Sequence, residues 1–345
     1  MVTNPTMKID DLRIVKTRPL LSPAILAEEI PLTEAASRTV HRSRRAIEAI
    51  LDREDRRILV VVGPCSVHDT KAALEYATRL KPIVDALADS ILIVMRVYFE
   101  KPRTVVGWKG LINDPDLDES YHINKGLRLA RQLLADIVDL GVSAGTEFLD
   151  TTFGQFYADL ISWGAIGART AESQIHRELA SGLSMPVGIK NRTDGNVQVA
   201  VDAIQAARRR HLFPSLTKEG APAILETTGN PYAHLVLRGG SETGPNFDEA
   251  SIENAVRLLR GARLPEVLMV DCSHGNSERD AARQIDVANA TIKNLGASPV
   301  RALMLESHLV AGRQDTPVIY GQSITDACLG FAETEALLYR LADAL

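Results

Sequence analysis

Short apolar runs rich in β-branched residues alternate along this chain with segments of helical spacing. Eight such runs occur, and most intervals between them carry apolar residues three and four positions apart, which predicts strands joined by crossover helices. The predicted strands lie at residues 58–62, 91–97, 142–147, 165–169, 187–190, 234–238, 267–271 and 302–306. Strands that are apolar on both faces, each followed by a crossover, favour an α/β fold of the (β/α)8 TIM-barrel type over an open doubly wound sheet.

The segments outside this alternation predict an arm and two insertions. Residues 1–38 are irregular and interrupted by proline, so we expect an N-terminal arm that packs on the body or on a neighbouring subunit, before a catalytic barrel at residues 39–345. Residues 97–121 are rich in proline, glycine and charge and predict a functional loop over the barrel mouth. Residues 211–230 predict an inserted β-hairpin before the sixth strand.

Composition narrows the class of protein. The formal net charge of −5 and the pI near 5.9 argue against a general binder of nucleic acid or acidic membranes. No apolar run reaches the roughly 18 residues of a membrane span, and the first residues lack the apolar core of a signal peptide, so we expect a cytoplasmic protein. The three cysteines, Cys65, Cys272 and Cys328, form no disulfide framework and are interpreted as thiols.

Cations follow the predicted strands at their carboxyl ends, where barrel enzymes carry their chemistry. They are Arg96, Lys101, Arg103, Arg169, Lys190 and Arg238. Any one of them is also explained as a solvated strand end, but together they would repel one another and lose hydration unless an anion neutralised them. Because guanidinium groups match phosphate and carboxylate oxygens in pairs, the set predicts a substrate with phosphate and carboxylate groups.

A second set combines soft and hard metal donors. It consists of Cys65, His274, Glu306 and Asp326, on different predicted strands and loops. Thiolate, imidazole and carboxylate together suit a divalent transition ion, Mn, Fe, Co or Zn, better than Ca or Mg. Each residue alone also has a structural explanation, as a small buried thiol, a hydrogen-bonded loop histidine, an arginine partner or a helix cap.

Long stretches of the chain resemble one enzyme family. GPCSVHD, KPRT, GTEFLD, VGIKNRTDG, LRGG, SHGNS, ESHL and SITDACLG are similar to the metal-dependent class I 3-deoxy-D-arabino-heptulosonate 7-phosphate (DAHP) synthases. The resemblance, which begins at about residue 8, implies a transferase that joins phosphoenolpyruvate, erythrose 4-phosphate and water into DAHP and phosphate. It also implies a divalent metal ion, a homodimer or homotetramer, and a place at the start of the shikimate pathway to chorismate and the aromatic amino acids.

The resemblance further implies roles for individual residues. Phosphoenolpyruvate would be held by Arg96, Lys101, Arg169, Lys190 and Arg238. Erythrose 4-phosphate would place its phosphate on Arg103 and Thr104. The metal ligands would be Cys65, His274, Glu306 and Asp326. Lys101, Lys190, His274 and Glu147 would be catalytic, and the group that handles the proton of the attacking water stays open among Glu147, Lys190, His274 and metal-bound water.

Family members of this type are inhibited by an aromatic amino acid, tryptophan, tyrosine or phenylalanine, bound away from the catalytic centre. Matching positions here are Gln155, Leu179, Leu183, Ser184 and Phe213, with the arm of a neighbouring subunit completing the pocket. Core packing explains the apolar members equally well. The GQF at residues 154–156 is more similar to tryptophan-sensitive members of the family than to phenylalanine- or tyrosine-sensitive ones.

Two positions depart from the family, and two cysteines bear on its redox chemistry. Arg192 stands where many members have glycine, and Cys272, beside the metal ligands in sequence, stands where phenylalanine is common. The resemblance also brings Cys65 close to Cys328, which predicts a disulfide between them in the oxidised, metal-free enzyme.

Three other functions stay open at this point. The sister 3-deoxy-octulosonate 8-phosphate synthases share the barrel but carry asparagine where Pro102 stands. A Schiff-base aldolase would use Lys190 as its nucleophile and leave the metal donors without a role. A non-catalytic binding barrel would tolerate the loss of Cys65 or Lys101.

Overall fold

The computed structural model describes residues 9–103, 105–292 and 298–345. Eight parallel strands in this part of the chain close into a barrel, which confirms the predicted (β/α)8 fold. The strands are β1 Ile58–Gly63, β2 Ile91–Arg96, β3 Ser143–Glu147, β4 Trp163–Ile166, β5 Val187–Lys190, β6 Leu212–Leu216, β7 Pro222–Glu226, β8 Ala233–Leu237, β9 Leu268–Asp271, β10 Val300–Glu306, β11 Val310–Arg313 and β12 Gln322–Ser323. The barrel order is β1, β2, β3, β4, β5, β8, β9, β10, with β10 pairing back to β1.

Helices cover the outside of the barrel. They are α1 Pro23–Glu29, α2 Glu34–Leu51, α3 Thr70–Ala86, α4 Ile123–Asp139, α5 Gly154–Tyr157, α6 Gln174–Gly182, α7 Gln198–Ala207, α8 Glu249–Gly261, α9 Arg283–Ile292 and α10 Phe331–Asp343. The first turn of α3 shows why such helices begin where they do: the Asp69 side chain accepts hydrogen bonds from the free N–H groups of Lys71 and Ala72. No helix among the described residues combines the length and apolar composition needed to cross a membrane.

Strand residues alternate between two apolar clusters. Val60 and Val62 face the layer between strands and helices, whereas Leu59 and Val61 join a separate cluster inside the barrel. Successive side chains of a strand point to opposite faces, so a strand buried on both sides is apolar at every position. This explains why near-continuous apolar runs marked the strands in the sequence.

The fourth barrel strand ends earlier than the sequence suggested. Strand β4 stops at Ile166, not at residue 169, and α6 begins at Gln174. The backbone N–H groups of Thr170 and Ala171 both bond back to the carbonyl of Gly167, which turns the chain at that point. Gly167 lies against the Glu147 side chain: a Cβ there would come within 2.1 Å of Oε1, so a larger residue would require the Glu147 carboxylate to shift. Arg169 therefore stands on a rim loop, not on the strand.

The arm and the hairpin meet on one side of the barrel. The predicted hairpin is present as β6 and β7, which pair antiparallel from Leu212↔Glu226 to Leu216↔Pro222. The arm contains α1, and Ala24 N donates to the carbonyl of Lys218 in the hairpin turn at 2.7 Å. The division into an arm at residues 1–38 and a barrel at 39–345 stays a prediction.

Candidate active site

Strand alternation places the charged residues inside the mouth of the barrel. Val94, Met269 and Met304 belong to the apolar cluster within the barrel. Two positions further along the same strands stand Arg96, Asp271 and Glu306, at the carboxyl end of β2, β9 and β10. Since residues i and i+2 share a face, the inner surface changes from apolar to charged within one step of each strand. These three side chains are almost completely buried.

A cavity of about 340 Å³ opens at this end of the barrel. Eight cations line it: Arg96, Lys101, Arg103, Arg169, Lys190, Arg238, Arg279 and Arg313. Its acidic lining residues are Glu147, Glu306 and Asp326. All six cations that the sequence singled out therefore face one cavity. Thr104, the remaining predicted substrate residue, lies outside the described residues.

Arg96 and Glu306 form a buried ion pair at the floor of the cavity. Arg96 Nη2 donates to Glu306 Oε1 at 2.9 Å, and the guanidinium lies 3.7 Å from the centroid of the Tyr98 ring. Although burial opposes ionisation, His274, Arg96 and Lys101 lower the pKa of Glu306 below its ordinary value. Arg96 thus helps to keep Glu306 ionised, and the charge of Arg96 is largely neutralised by this carboxylate.

Asp271 holds two other cavity residues in place. Its Oδ2 accepts a hydrogen bond from Lys190 Nζ at 2.8 Å and lies 3.0 Å from His274 Nδ1, in a contact without hydrogen-bond geometry. Burial opposes the charge of this carboxylate, but His274 and Lys190 hold its pKa well below the usual range. Lys190 is thereby fixed beside a carboxylate, and His274 turns its Nε2 towards Glu306.

Three of the four predicted metal ligands form a close donor group. One donor atom from each of Cys65, Glu306 and Asp326 lies within 4.8 Å of the others. The Cys65 thiol donates to Asp326 Oδ2 at 3.2 Å and accepts from Lys101 Nζ at 3.0 Å. His274 stands at the edge of this group, with Nε2 3.7 Å from Glu306 Oε1. A thiol beside two carboxylates and an imidazole fits a transition ion, as the donor types predicted.

The pKa values within the donor group differ in direction. Burial, reinforced by Glu306, raises the pKa of the Cys65 thiol to about 11. Burial also opposes ionisation of Asp326, but the Lys101 ammonium and the Cys65 hydrogen bond lower the pKa of this carboxyl to about 2. Asp326 is the most solvent-exposed member, with 63% of its side-chain surface exposed. The group therefore offers carboxylates at neutral pH and a thiol that must lose its proton to bind an ion.

Arg238 and Arg169 converge on one side of the cavity. Burial lowers the pKa of Arg238, and the positive charges of Arg169 and Arg279 lower it further against the pull of Asp271. Arg238 Nε is buried and finds no hydrogen-bond partner among the described residues. Crowded guanidinium groups with an unsatisfied donor indicate a binding site for an anion.

Lys101 and Arg103 come from the long loop after β2. Lys101 Nζ lies 3.6 Å from Asp326 Oδ2. The backbone N–H of Lys101 donates to the carbonyl of Lys109, which closes the loop on itself. Arg103 Nε donates to the carbonyl of Trp108 at 2.7 Å, and Arg169 Nη1 donates to Pro102 O at 3.4 Å. The loop therefore connects the donor group to the arginine side of the cavity.

Glu147 lines the cavity at the end of β3. Within the described ranges it makes neither a hydrogen bond nor an ion pair through its carboxylate, although it is 91% buried. Such a carboxylate is available to a substrate or a water molecule. The prediction that Glu147 is catalytic stays a prediction.

The predicted regulatory residues lie on three neighbouring elements. Gln155 is on α5, Leu179 on α6 and Phe213 on β6. The carbonyl of Gln155 accepts from Lys218 Nζ at 2.6 Å, and Ser181 of α6 lies 2.7 Å from Thr227 beside the hairpin, oxygen to oxygen. Phe213 is buried, and both Leu179 and Leu183 pack partly against the core, whereas Ser184 is exposed.

The two departures from the family occupy different places. Cys272 follows the inward-facing Asp271 and therefore packs in the layer between strands and helices, so it does not line the cavity. Arg192 lies on the loop after β5, where Nη1 donates to Glu172 Oε1 at 2.8 Å and Nη2 pairs with Asp194. All three cysteines are buried free thiols. The disulfide between Cys65 and Cys328 stays a prediction for the oxidised state.

Sequence reasoning missed three residues that bear on the site. Asp271 was noted only as a strand end, Arg279 lies in a polar loop after His274, and Arg313 ends the short strand β11. Position after a barrel strand was the available signal for Asp271 and Arg279. Arg313 gave no such signal, since it ends a strand that lies outside the barrel.

A parallel barrel with eight cations and a thiol–carboxylate donor group at its mouth defines an α/β-barrel enzyme for anionic substrates. The family model described as "DAHP synthetase I family" matches residues 29–339. The chain therefore belongs to the DAHP synthetase I family, and the predicted 3-deoxy-7-phosphoheptulonate synthase activity is confirmed.

Individual relatives match almost their whole length. The Trp-sensitive phospho-2-dehydro-3-deoxyheptonate aldolase of Enterobacter agglomerans is 53% identical over 344 residues, 98% of each chain. The Phe-sensitive enzyme of Escherichia coli K12 is also 53% identical, over 342 residues and 97% of each chain. A solved phospho-2-dehydro-3-deoxyheptonate aldolase from Francisella tularensis SCHU S4 superposes with a TM-score of 0.94 at 51% identity, covering 96% of this chain and 98% of its own. Identity alone does not choose between tryptophan and phenylalanine as inhibitor.

Proposed function

We propose that this chain joins phosphoenolpyruvate to erythrose 4-phosphate and water at the barrel mouth, giving DAHP and phosphate. This is the reaction that opens the shikimate pathway to the aromatic amino acids. The single observation that carries the proposal is one cavity lined by eight cations beside the thiol–carboxylate donor group. Two phosphorylated substrates, one also a carboxylate, supply the negative charge that such a cavity requires.

Phosphoenolpyruvate lies along the arginine side of the cavity. Arg169 and Arg238 bind its phosphate, and the unsatisfied Nε of Arg238 supports this assignment. Lys190, held by Asp271, and Lys101 lie nearer the carboxylate, while Arg96 contributes chiefly through Glu306. Erythrose 4-phosphate binds through its phosphate to Arg103 and Thr104. Fixing both substrates in one orientation converts a bimolecular encounter into a step between aligned groups.

A divalent ion, Mn, Fe, Co or Zn, would be held by Cys65, Glu306 and Asp326, with His274 at the edge of the group. When bound, it would act as a Lewis acid on the aldehyde oxygen of erythrose 4-phosphate. Asp271 supports this set by orienting His274, and Arg96 by keeping Glu306 ionised. The chemistry of the donors supports a transition ion and does not choose among the four.

The reaction forms one carbon–carbon bond and one carbon–oxygen bond from water, and it breaks the carbon–oxygen bond to phosphate. The π electrons of the enol attack C1 of the aldose through C3 of phosphoenolpyruvate, and the aldehyde oxygen becomes a hydroxyl group. Water adds to the electron-deficient C2, and the C2–O bond to phosphate breaks with its electrons on phosphate. Of the two protons of the water, one balances the new hydroxyl group and the other leaves with phosphate as C2 becomes a ketone. We propose that Glu147 takes the first proton of the water, because this cavity carboxylate makes no side-chain hydrogen bond or ion pair within the described residues. Arg169 and Arg238 stabilise the departing phosphate.

Feedback regulation and assembly complete the proposal. An aromatic amino acid binds between α5, α6 and the hairpin, and the neighbouring positions of these elements support that site. The chain works as a homodimer or homotetramer in which the arm of one subunit completes the pocket of another. The predicted cytoplasmic location stays a prediction, as does tryptophan as the inhibitor.

Phosphate release is the direct test. Purified enzyme is assayed with phosphoenolpyruvate and erythrose 4-phosphate, with and without a chelator, and then with single metals added back. We expect release only when both substrates are present, loss on chelation, and recovery with a transition ion. Arg238→Ala should abolish release, whereas Arg209→Ala, an exposed arginine outside the cavity, should not. Phosphate release that survives chelation, or trapping of a Lys190 adduct by borohydride, would contradict the proposal.

A further inference from the structure

Arg279 faces the catalytic cavity but has no part in the substrate contacts assigned above. It lies five residues after His274, in the loop that follows β9, and its side chain lines the same cavity as Arg169 and Arg238. The side chain is exposed to solvent at the rim. An arginine at this place is either a solvated loop residue or a contact for an anionic ligand.

The backbone of the loop turns Arg279 back towards the cavity. Its N–H donates to the carbonyl of His274 at 2.9 Å, which closes the turn. His274, Glu278 and Arg279 have φ values of 56°, 51° and 66°, in the left-handed region that non-glycine residues seldom occupy. Backbone conformations of this kind concentrate at functional sites, where the surrounding structure maintains them.

Charge distinguishes Arg279 from its neighbours on the loop. Glu278 pairs with Arg283 at the start of α9, so that arginine is neutralised locally. Arg279 has no carboxylate within ion-pair distance in the part of the chain that the structure describes, and its charge acts on Arg238 together with that of Arg169. Three guanidinium groups thus face the same cavity, and the Nε of Arg238 is buried without a partner among the described residues. A dianion there would satisfy all three.

We propose that Arg279 is the third guanidinium of the phosphate site for phosphoenolpyruvate, and that it also binds inorganic phosphate before its release. This inference rests on the proposed function and extends it to a residue at the rim. A phosphate dianion has three terminal oxygens, which three guanidinium groups can contact from different sides. Because Arg279 is exposed at the rim of the cavity, it can contact a phosphate group that enters or leaves the site.

The test compares binding by Arg279→Ala, Arg279→Lys and Arg283→Ala. Phosphoenolpyruvate is titrated into each full-length enzyme by calorimetry without erythrose 4-phosphate, and inorganic phosphate is titrated as a second probe. The loss of one charge-assisted contact at a partly exposed site weakens binding about 10-fold. We expect that effect for Arg279→Ala with both probes and a smaller one for Arg279→Lys. The KM for erythrose 4-phosphate should stay within about 2-fold, since its phosphate binds elsewhere.

Arg283→Ala controls for damage to the loop, because this residue belongs to the same segment but does not line the cavity. It should bind both probes as the wild type does. Three results would overturn the inference: wild-type binding of phosphoenolpyruvate by Arg279→Ala, weakening confined to erythrose 4-phosphate, or equal weakening by Arg283→Ala. If the wild-type enzyme itself failed to release phosphate from the two substrates, the proposed function would fail instead, so the two failures are distinguishable.

Discussion

Replacing Asp271 by asparagine removes one charge from the centre of the site while keeping its shape. The Asp271 side chain is completely buried, and its carboxylate contacts Lys190 Nζ at 2.8 Å and His274 Nδ1 at 3.0 Å. Lys190 is itself only 5% exposed, so the variant leaves a buried ammonium without its counter-charge. Breaking a buried ion pair from one side costs about 3–5 kcal/mol.

That cost converts into a measurable melting temperature. With about 2.1 cal/mol/K of unfolding entropy per residue, the 345-residue chain loses about 0.7 kcal/mol of stability per kelvin near its midpoint. Asp271→Asn should therefore lower Tm by about 4–7 °C. The measurement is calorimetric unfolding of the chelated enzyme without substrates, because bound ligands would add their own stabilisation.

Asp280→Asn is the matched control, since Asp280 is an exposed aspartate on the same loop. It should change Tm by less than about 1 °C. Asp271→Asn should also lower kcat/KM for phosphoenolpyruvate by about 100-fold, because Lys190 is no longer held in one orientation. A Tm for Asp271→Asn within 1 °C of the wild type would refute the reasoning, since Lys190 would then not depend on this carboxylate.

Three further predictions concern other parts of the structure. Burial raises the pKa of the Glu100 carboxyl to about 8. Between the unfolded value near 4.5 and 8, only the folded state holds the proton, so the stability of the wild type falls as pH rises. Glu100→Gln should therefore gain stability relative to wild type from pH 5 to pH 8, by up to about 1.4 kcal/mol per pH unit, measured by urea unfolding. Arg192→Ala and Glu172→Gln should each raise the KM for phosphoenolpyruvate about 2- to 5-fold, and the double variant no further, because one exposed ion pair joins their loops. Cys65→Ala should abolish metal-dependent activity, whereas Cys272→Ala, equally buried but on the outer face of β9, should retain it.

Each of these has a result that would contradict it. An equal stability difference at pH 5 and pH 8 would show that Glu100 does not change protonation with folding. Additive effects of the two loop substitutions would show that Arg192 and Glu172 act independently. Metal-restored turnover in Cys65→Ala would remove the thiol from the donor group.

The barrel could be predicted because its strands are buried on both faces. Residues 58–62 became β1 with one residue added, and residues 187–190 became β5 unchanged. These runs have no polar position before Lys190 at the barrel mouth, since helices cover one face of each strand and the barrel core the other. The predicted end of β4 was wrong because the Gly167 carbonyl accepts hydrogen bonds from the N–H groups of Thr170 and Ala171, which turns the chain soon after Ile166. Gly167 also lies against Glu147 of the neighbouring strand, and that contact leaves no local mark in the sequence.

The sequence predicted which residues belong to the site better than it predicted which of them form ion pairs with one another. Charged residues that follow strands in the sequence predicted which side chains meet, because the carboxyl ends of all eight parallel strands lie at the same end of the barrel. The sequence did not indicate that Asp271 would hold Lys190 from 81 residues away, or that Arg96 would face Glu306 more than the cavity. Such pairings depend on which strands become neighbours around the barrel.

The regulatory pocket was the least predictable part. Its proposed residues come from α5, α6 with the segment after it, and the hairpin. We propose that another subunit supplies the remaining wall. Apolar residues at helical spacing, such as Leu179 and Leu183, have the same pattern whether they pack in a core or line a pocket. Only the positions of the neighbouring elements in the fold distinguish a core residue from a residue that lines a pocket.

The most direct test of the central claim is the stoichiometry of the products by mass spectrometry, with erythrose 4-phosphate and arabinose 5-phosphate offered together. The account predicts one equivalent of inorganic phosphate for each seven-carbon sugar acid phosphate, formed only with a transition ion present. An eight-carbon product as the main species, or phosphate released without any condensation product, would contradict it.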